Sequence, residues 1–120
     1  MATILIVEDY PVTQRILSLT LKNNGHETIV AGNGIEALQV LDGTSVDLAL
    51  VDIAMPEMDG LELLRHLRDD VRYQALPVIM LTASGQDDDR SVALSAGANG
   101  FLTKPASSRE LIDAIAQFIS

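Results

Sequence analysis

Residues 3–7 read Thr-Ile-Leu-Ile-Val, and two later stretches are of the same kind: Asp-Leu-Ala-Leu-Val at 47–51 and Pro-Val-Ile-Met-Leu at 77–81. Runs that are apolar at nearly every position are typical of strands buried on both faces, as in a parallel sheet. Weaker strand patterns lie at 27–31 and 100–102. Together these stretches predict the strands of one sheet with a double-sided apolar core.

Amphipathic segments separate the predicted strands. Pro11 suits the first turn of a helix, and Asn23-Asn24-Gly25 is a stop signal. Further helical spacing follows in three segments, namely 35–41, 61–67 and a segment that Asp87 can cap and Gly97 closes, and Ser107 or Ser108 can cap a last helix reaching Ile119. Strand and helix thus alternate, which predicts a single α/β domain, a doubly wound (βα)5 fold with helices on both faces of a five-stranded parallel sheet.

The composition limits the class of protein. The chain has 120 residues, 48% of them apolar and only 3% aromatic, with 17 acidic against 8 basic residues and a net charge of −9. This length suits one domain with an aliphatic core. The negative charge argues against direct binding to nucleic acid or to an anionic membrane, both of which need a basic face. There is no cysteine and no apolar stretch of membrane-spanning length, so we expect a cytoplasmic domain.

Reactive side chains follow the predicted strands. Glu8 and Asp9 follow the first, Asp52 the third, Thr82 the fourth and Lys104 the fifth. Because parallel strands share one carboxyl edge, we expect these groups to converge there. Two like charges about 5 Å apart repel by ~3 kcal/mol at an effective dielectric of ~20, so three carboxylates call for a cation. Ligands that are all oxygen favour Mg²⁺.

This chemistry points to phosphoryl transfer. A carboxylate beside Mg²⁺ can attack phosphorus and form an aspartyl phosphate. Asp52 is the best candidate for the nucleophile because it ends the central strand of the predicted sheet. Lys104 would neutralise charge on the phosphoryl oxygens and the Thr82 hydroxyl could donate to one of them. Glu8 and Asp9 are then metal holders, one of them through water.

The motifs, in this order, resemble those of response-regulator receiver domains of two-component signalling. They are Glu8-Asp9, Asp52-Ile-Ala-Met-Pro56 with Met58-Asp-Gly60, Thr82-Ala83 and Lys104-Pro105, and the resemblance covers essentially the whole chain. It implies one receiver domain over residues 1–120 with a flavodoxin-like fold. It also implies a phosphorylation-activated switch rather than an enzyme with turnover, limited to self-phosphorylation from a donor and slow autodephosphorylation.

The resemblance assigns roles to single residues. Asp52 would accept the phosphoryl group from a histidine kinase or a phosphotransfer protein. Mg²⁺ would be bound by Asp9, Asp52 and the backbone carbonyl of Ala54, with Glu8 acting through water.

The resemblance also implies a switch. Thr82 would move toward the phosphate, the ring of Phe101 would turn inward, and Pro105 would follow a cis peptide bond. The fourth helix, fifth strand and fifth helix would then be read by a partner or an attached effector.

Three other interpretations compete with this one. Gly32-Asn-Gly34-Ile-Glu-Ala37, with Asp52 further on, imitates a dinucleotide-binding fingerprint, but it leaves the other strand-end residues unexplained. An aspartyl-phosphate phosphatase needs an acid two residues after its nucleophile, where this chain has Ala54. A flavin mononucleotide module needs a phosphate cradle where the chain has Glu8-Asp9. The sequence names neither the kinase nor the output, and it allows a stand-alone receiver or the first domain of a longer protein.

Overall fold

Five strands and five helices alternate along the chain in the computed structural model, which describes residues 2–55, 58–83 and 87–119. The order is β1 (Thr3–Val7), α1 (Pro11–Asn23), β2 (Glu27–Ala31), α2 (Gly34–Gly43), β3 (Leu48–Asp52), α3 (Gly60–Asp69), β4 (Val78–Thr82), α4 (Asp87–Ser95), β5 (Gly100–Thr103) and α5 (Ser108–Ala116). The predicted alternation is confirmed. Among the described parts of the chain, no helix combines the length and apolar character needed to cross a membrane.

The strands form one parallel sheet in the order β2-β1-β3-β4-β5. Helices α1 and α5 pack on one face, and α2, α3 and α4 pack on the other. Strands β3 and β4 are buried at every residue, which explains why their sequences are apolar without alternation. The predicted doubly wound, flavodoxin-like fold is therefore confirmed.

The central strands lie one residue further along than predicted. β3 ends at Asp52, which pairs with Leu81, and β4 ends at Thr82. At the start of β3, the Asp47 carboxylate accepts a hydrogen bond from the Thr3 amide at 2.8 Å, and Pro77 before β4 has no amide hydrogen to donate. Asp52 and Thr82 are thus the last residues of their strands rather than the first residues of loops.

Side-chain caps fix the starts of three helices. Asn33 accepts from the Glu36 amide at 2.9 Å, Asp59 from the Glu62 amide at 2.9 Å, and Ser107 from the Glu110 amide at 3.0 Å. The cap predicted at Asp87 is wrong, because α4 already begins at that residue. The side chains of residues 87–89, and Pro56 of the Asp52-Ile-Ala-Met-Pro56 motif, lie outside the described residues. The last helix is also shorter than predicted, since it ends at Ala116.

Helix α1 exposes apolar side chains outside the stripe that it buries. Leu17 and Leu21 are buried against the sheet, whereas three residues, Val12, Ile16 and Leu19, are 51 to 58% exposed. The reason is geometric: a helix lying on one face of a sheet can bury a single stripe, and these three residues lie outside it.

Arg68 links helix α3 to the connection before β4 and to the connection between α4 and β5. Its guanidinium donates to the Gly97 carbonyl at 2.9 Å, the Tyr73 carbonyl at 3.0 Å and the Asn99 side-chain oxygen at 2.9 Å. Asn99 in turn accepts from the Val78 amide at 2.9 Å. Burial lowers the pKa of Arg68, and the carbonyl and amide oxygens around it compensate the charge by hydrogen bonding.

We expect Arg68→Ala to lower the free energy of unfolding by about 2 kcal/mol, because it removes three charge-assisted hydrogen bonds. Arg65→Ala is the matched control, since Arg65 is an exposed arginine on the same helix. Urea denaturation measures both variants. Equal stability of the two would show that the link contributes nothing.

Candidate functional site

Carboxylates from two adjacent strands meet at the carboxyl edge of the sheet. Glu8 and Asp9 follow β1, and Asp52 ends β3. One carboxylate oxygen from each of these three residues lies within 4.8 Å of the others. The cluster sits between β1 and β3, where the strand order reverses and where open α/β sheets form their binding crevice. The predicted convergence is therefore present in the structure.

Lys104 joins the cluster from the end of β5. Its ammonium lies 2.5 Å from Glu8 Oε1 and 3.3 Å from Asp52 Oδ1. The Lys104 amide donates to the Thr82 carbonyl at 2.6 Å, which attaches the residue to the end of β4. The Lys104–Pro105 peptide bond is cis, as the resemblance implied.

The charges of the cluster do not balance. Glu8 and Asp52 are buried, while Asp9 is exposed. Burial raises the pKa of Glu8, and the neighbouring Asp52 raises it further, against the opposing effect of Lys104. Burial alone would lower the pKa of Lys104, but the hydrogen bond to Glu8 and the charge of Asp52 raise it above the ordinary value. One ammonium among three carboxylates therefore leaves an excess of negative charge at the site.

The donor set fits Mg²⁺. All three clustered side chains offer oxygen, the ligand atom that Mg²⁺ prefers, and the exposed Asp9 leaves room for water. The Ala54 amide lies 3.4 Å from Asp52 Oδ1, which brings the Ala54 backbone next to the cluster. The role of the Ala54 carbonyl as a ligand, and that of Glu8 through water, stay predictions.

The remaining predicted site residues lie on the neighbouring strands. Thr82 is buried at the end of β4, beside Asp52 at the end of β3. Phe101 is half-buried on β5, opposite Met80, and packs against the core on the α2–α4 face. Pro105 is exposed. The structure thus brings Thr82 to the site's edge but places Phe101 two strands away from Asp52.

Two contacts around the acidic pair were missed by the sequence analysis. The Gln14 side-chain amide donates to the Glu8 carbonyl at 2.5 Å, and the Tyr10 amide lies 3.4 Å from Glu8 Oε2. Gln14 lies near the start of α1, and Tyr10 directly precedes the helix. The start of α1 therefore helps to hold Glu8 in place. No spacing rule marks such contacts, because they depend on where the helix begins.

Gly60, which belongs to the Met58-Asp-Gly60 motif, has a packing role that the sequence does not predict. A Cβ atom on Gly60 would lie 2.2 Å from the carbonyl oxygen of Asp52 and 2.9 Å from its carbonyl carbon. The Gly60 amide donates to the Ile53 carbonyl at 2.9 Å. The start of α3 therefore packs directly on the backbone of Asp52. The available signal was Asp59-Gly60 itself, which sequence reasoning interprets as a helix cap and turn.

The model for the response regulator receiver domain family matches residues 4–116. This match spans nearly the whole chain and includes every residue of the cluster. The chain belongs to the response regulator receiver domain family, a class of phosphorylation-activated signalling switches.

Several known proteins are similar over the same length. An uncharacterized 14.6 kDa protein of Leptolyngbya boryana is 42% identical over 115 residues, covering 96% of this chain and 88% of the relative. The phosphate regulon transcriptional regulatory protein PhoB of Pseudomonas aeruginosa is 38% identical over 92% of this chain. The chain spans about half (48%) of the length of PhoB and a similar share of most curated relatives.

Solved structures are also similar to this chain over nearly its whole length. The chemotaxis protein CheY4 of Vibrio cholerae superposes with a TM-score of 0.93 at 29% identity, covering 99% of both chains. The receiver domain of the sensor histidine kinase PA1611 of P. aeruginosa, solved with a magnesium ion coordinated in its active-site cleft, has a TM-score of 0.91 at 32% identity and covers 98% of this chain and 97% of its own.

The raised pKa of Glu8 makes the stability of the metal-free protein depend on pH. The native state holds the Glu8 proton more tightly than the unfolded chain does. This contribution to stability is therefore fully present below the ordinary pKa of 4.5 and is lost as the pH rises through the raised native pKa. Glu8→Gln lacks it. As the pH rises above 4.5, we expect the stability of Glu8→Gln relative to the wild type to increase until the native Glu8 has lost its proton.

Urea denaturation in the presence of a chelator measures this difference. Glu27→Gln, at an exposed glutamate of β2, controls for the loss of one negative charge. A Glu8→Gln curve parallel to the wild-type curve over the whole range would contradict the raised pKa.

Proposed function

We propose that Asp52 is the phosphoacceptor of a receiver domain that uses Mg²⁺. The observation that carries the proposal is the cluster of Glu8, Asp9 and Asp52, with the Lys104 ammonium in contact with Glu8 and Asp52, at the sheet edge where the strand order reverses. Asp52 is the central member, since it ends β3 between the acidic pair and the end of β4.

The proposed step transfers a phosphoryl group from a histidine of the donor. A carboxylate oxygen of Asp52 forms a bond to phosphorus while the phosphorus–nitrogen bond breaks. The electron pair of that bond leaves with the imidazole nitrogen, and Asp52 becomes an acyl phosphate. The chain contributes positioning and charge neutralisation, the two requirements of phosphoryl transfer.

The chain's own residues divide this work. Asp9, Asp52 and the Ala54 carbonyl would hold Mg²⁺, with Glu8 contributing through water. When bound, Mg²⁺ neutralises the oxygens of the transferring group. Lys104, 3.3 Å from Asp52 Oδ1, would neutralise a further phosphoryl oxygen, and the Thr82 hydroxyl would donate to another.

The signal would then pass along the β4–β5 side of the sheet. Thr82 ends β4, and Phe101 lies on the adjacent β5. We propose that Thr82 moves toward the new phosphate and that the half-buried Phe101 ring follows, changing the face made by α4, β5 and α5. Lys104-Pro105 belongs to the same edge, so this connection would change with them.

The proposed partners are a histidine kinase or a histidine phosphotransfer protein as donor and an effector, attached or separate, as output. The domain itself would not bind nucleic acid, in keeping with its net charge of −9. It would carry out only self-phosphorylation and slow autodephosphorylation, without turnover of a separate substrate. Its cytoplasmic location stays a prediction.

Acetyl phosphate with Mg²⁺ should add one phosphoryl group to the wild-type chain and none to Asp52→Asn. Intact-mass spectrometry measures the adduct, and omission of Mg²⁺ should suppress it. Asp42→Asn, an exposed aspartate at the end of α2, is the control and should be labelled like the wild type. A stable adduct on Asp52→Asn would refute the assignment.

Helix α1 offers a surface for the phosphodonor. Val12, Ile16 and Leu19 are exposed apolar residues, and Tyr10, 59% exposed, directly follows Asp9 of the cluster. The helix carries Arg15 and Lys22 and no acidic residue, although the whole chain is strongly acidic. We propose that the donor docks on this apolar, locally basic helix, which would bring its phosphohistidine to Asp52.

We expect Ile16→Glu to slow phosphotransfer about tenfold or more when the donor is a histidine kinase that labels the wild type, because the variant places a charge at the centre of the proposed apolar contact and about 1.4 kcal/mol corresponds to tenfold. Labelling by acetyl phosphate should be unchanged, because this donor needs no docking surface. Val71→Glu is the matched control, since Val71 is 83% exposed after α3, near the opposite edge of the sheet. Equal transfer rates for both variants would exclude α1 as the docking surface.

A further inference from the structure

The connection between β3 and α3 is attached at both of its ends. The Ile53 amide donates to the Leu81 carbonyl at 2.9 Å, which continues the β3–β4 ladder by one bond. The Gly60 amide donates to the Ile53 carbonyl at 2.9 Å, which closes the connection on itself. Between these two bonds the chain must pass through Ala54, whose backbone lies next to Asp52.

Met58 makes a third attachment, to a different element. Its carbonyl accepts from the Gly34 amide at 3.4 Å, and its half-buried side chain packs against the core. Gly34 is the buried first residue of α2. A Cβ atom on Gly34 would lie 2.7 Å from Met58 Cγ, 2.8 Å from Sδ and 2.9 Å from Cβ. The side chain of Met58 therefore occupies the space that any residue other than glycine would need at position 34.

This contact also accounts for the glycine motif that imitates a dinucleotide fingerprint. Asn33 caps α2, and Gly34 provides room for Met58. The motif thus has a packing role within this chain.

We propose that the Gly34–Met58 contact positions the β3–α3 connection, and with it the Ala54 backbone, for Mg²⁺ binding beside Asp52. The inference rests on the proposed function, since it concerns the same site. Gly34 and Met58 are positioning residues, because they touch neither the metal nor the phosphoryl group. They act through Gly60, two residues after Met58, whose amide donates to the carbonyl of Ile53 directly before Ala54. Mutation of residues that hydrogen-bond to metal ligands commonly changes metal affinity by 10- to 100-fold. We expect the lower end of this range for the less direct Gly34–Met58 contact.

The contact can be disturbed by one methyl group. Alanine is a better helix former than glycine, so on intrinsic preference alone Gly34→Ala would stabilise α2. The new Cβ would overlap with Met58. Met58 Cγ and Sδ can rotate away, but Met58 Cβ is fixed to its backbone, so the backbone at Met58 must shift. Gly43→Ala is a matched control, because Gly43 ends the same helix and a Cβ there would meet no atom within 4 Å.

The first measurement is the Mg²⁺ dissociation constant, determined by NMR titration with Mg²⁺ alone. We expect the dissociation constant of Gly34→Ala to be about tenfold higher than that of the wild type, with Gly43→Ala unchanged. The rate of labelling by acetyl phosphate at subsaturating Mg²⁺ should fall in parallel. Thermal unfolding with a chelator shows whether each variant is folded. Equal Mg²⁺ affinity in Gly34→Ala and Gly43→Ala would overturn the proposal.

A second variant keeps the test decisive if Gly34→Ala does not fold. Met58→Ala removes the side chain without adding any overlap, and we expect it also to weaken Mg²⁺ binding because the connection loses its third attachment. The double variant Gly34→Ala/Met58→Ala lacks Met58 Cγ and Sδ, two of the three atoms that the new Cβ would overlap. Part of the Mg²⁺ affinity lost in Gly34→Ala should therefore return. Wild-type Mg²⁺ affinity in Met58→Ala, or additive losses in the double variant, would overturn the proposal.

Failure of the proposed function would give a different result from failure of this inference. If the proposed function is wrong, acetyl phosphate will not label Asp52 in the wild type or in Gly43→Ala. The Mg²⁺ titrations would still decide whether the Gly34–Met58 contact positions the site.

Discussion

The ammonium of Lys104, placed between Glu8 and Asp52, is the interaction on which the site depends. Two buried carboxylates beside an apolar sheet repel each other and lose their hydration, and a hydrogen-bonded cation offsets both costs in part. To supply it, β5 must lie next to β4 and β4 next to β3, so that a residue after the fifth strand reaches the end of the third. The bond from the Lys104 amide to the Thr82 carbonyl completes that path.

Lys104 offsets the negative charge of the site only in part, and this suits the function of a receiver domain. The pKa of Glu8 remains raised despite its contact with Lys104. A cluster that keeps excess negative charge binds a divalent cation more readily than a neutralised one does, and the cation can then approach a phosphoryl group. The rest of the fold tolerates this unfavourable electrostatics because β3 and β4 are otherwise buried and apolar along their length. Stability thus resides in the sheet, and the reactive charge is confined to its edge.

Much of this arrangement was predictable, because each strand is a continuous apolar run and parallel strands share one carboxyl edge. The element order, the sheet type and the convergence of the acidic residues all followed from these two rules. The boundaries did not: Asp52 and Thr82 are in strands because their neighbours form ladder bonds, and no local pattern reports such bonds. The exposure of Val12, Ile16 and Leu19 on α1 followed from no local pattern either, since burial depends on how the helix lies on the sheet.

By itself, the sequence determined which residues could carry the chemistry and at which edge they would meet, because strand periodicity and residue type are local properties. Only the tertiary structure decided how those residues are held. The ammonium of Lys104 contacts two carboxylates at once, Gly60 packs on the carbonyl of Asp52, and Met58 fills the space beside Gly34. Each of these contacts joins segments that are distant in sequence or separated by a turn. Their geometry depends on the packing of whole elements, which residue types and spacing do not encode locally.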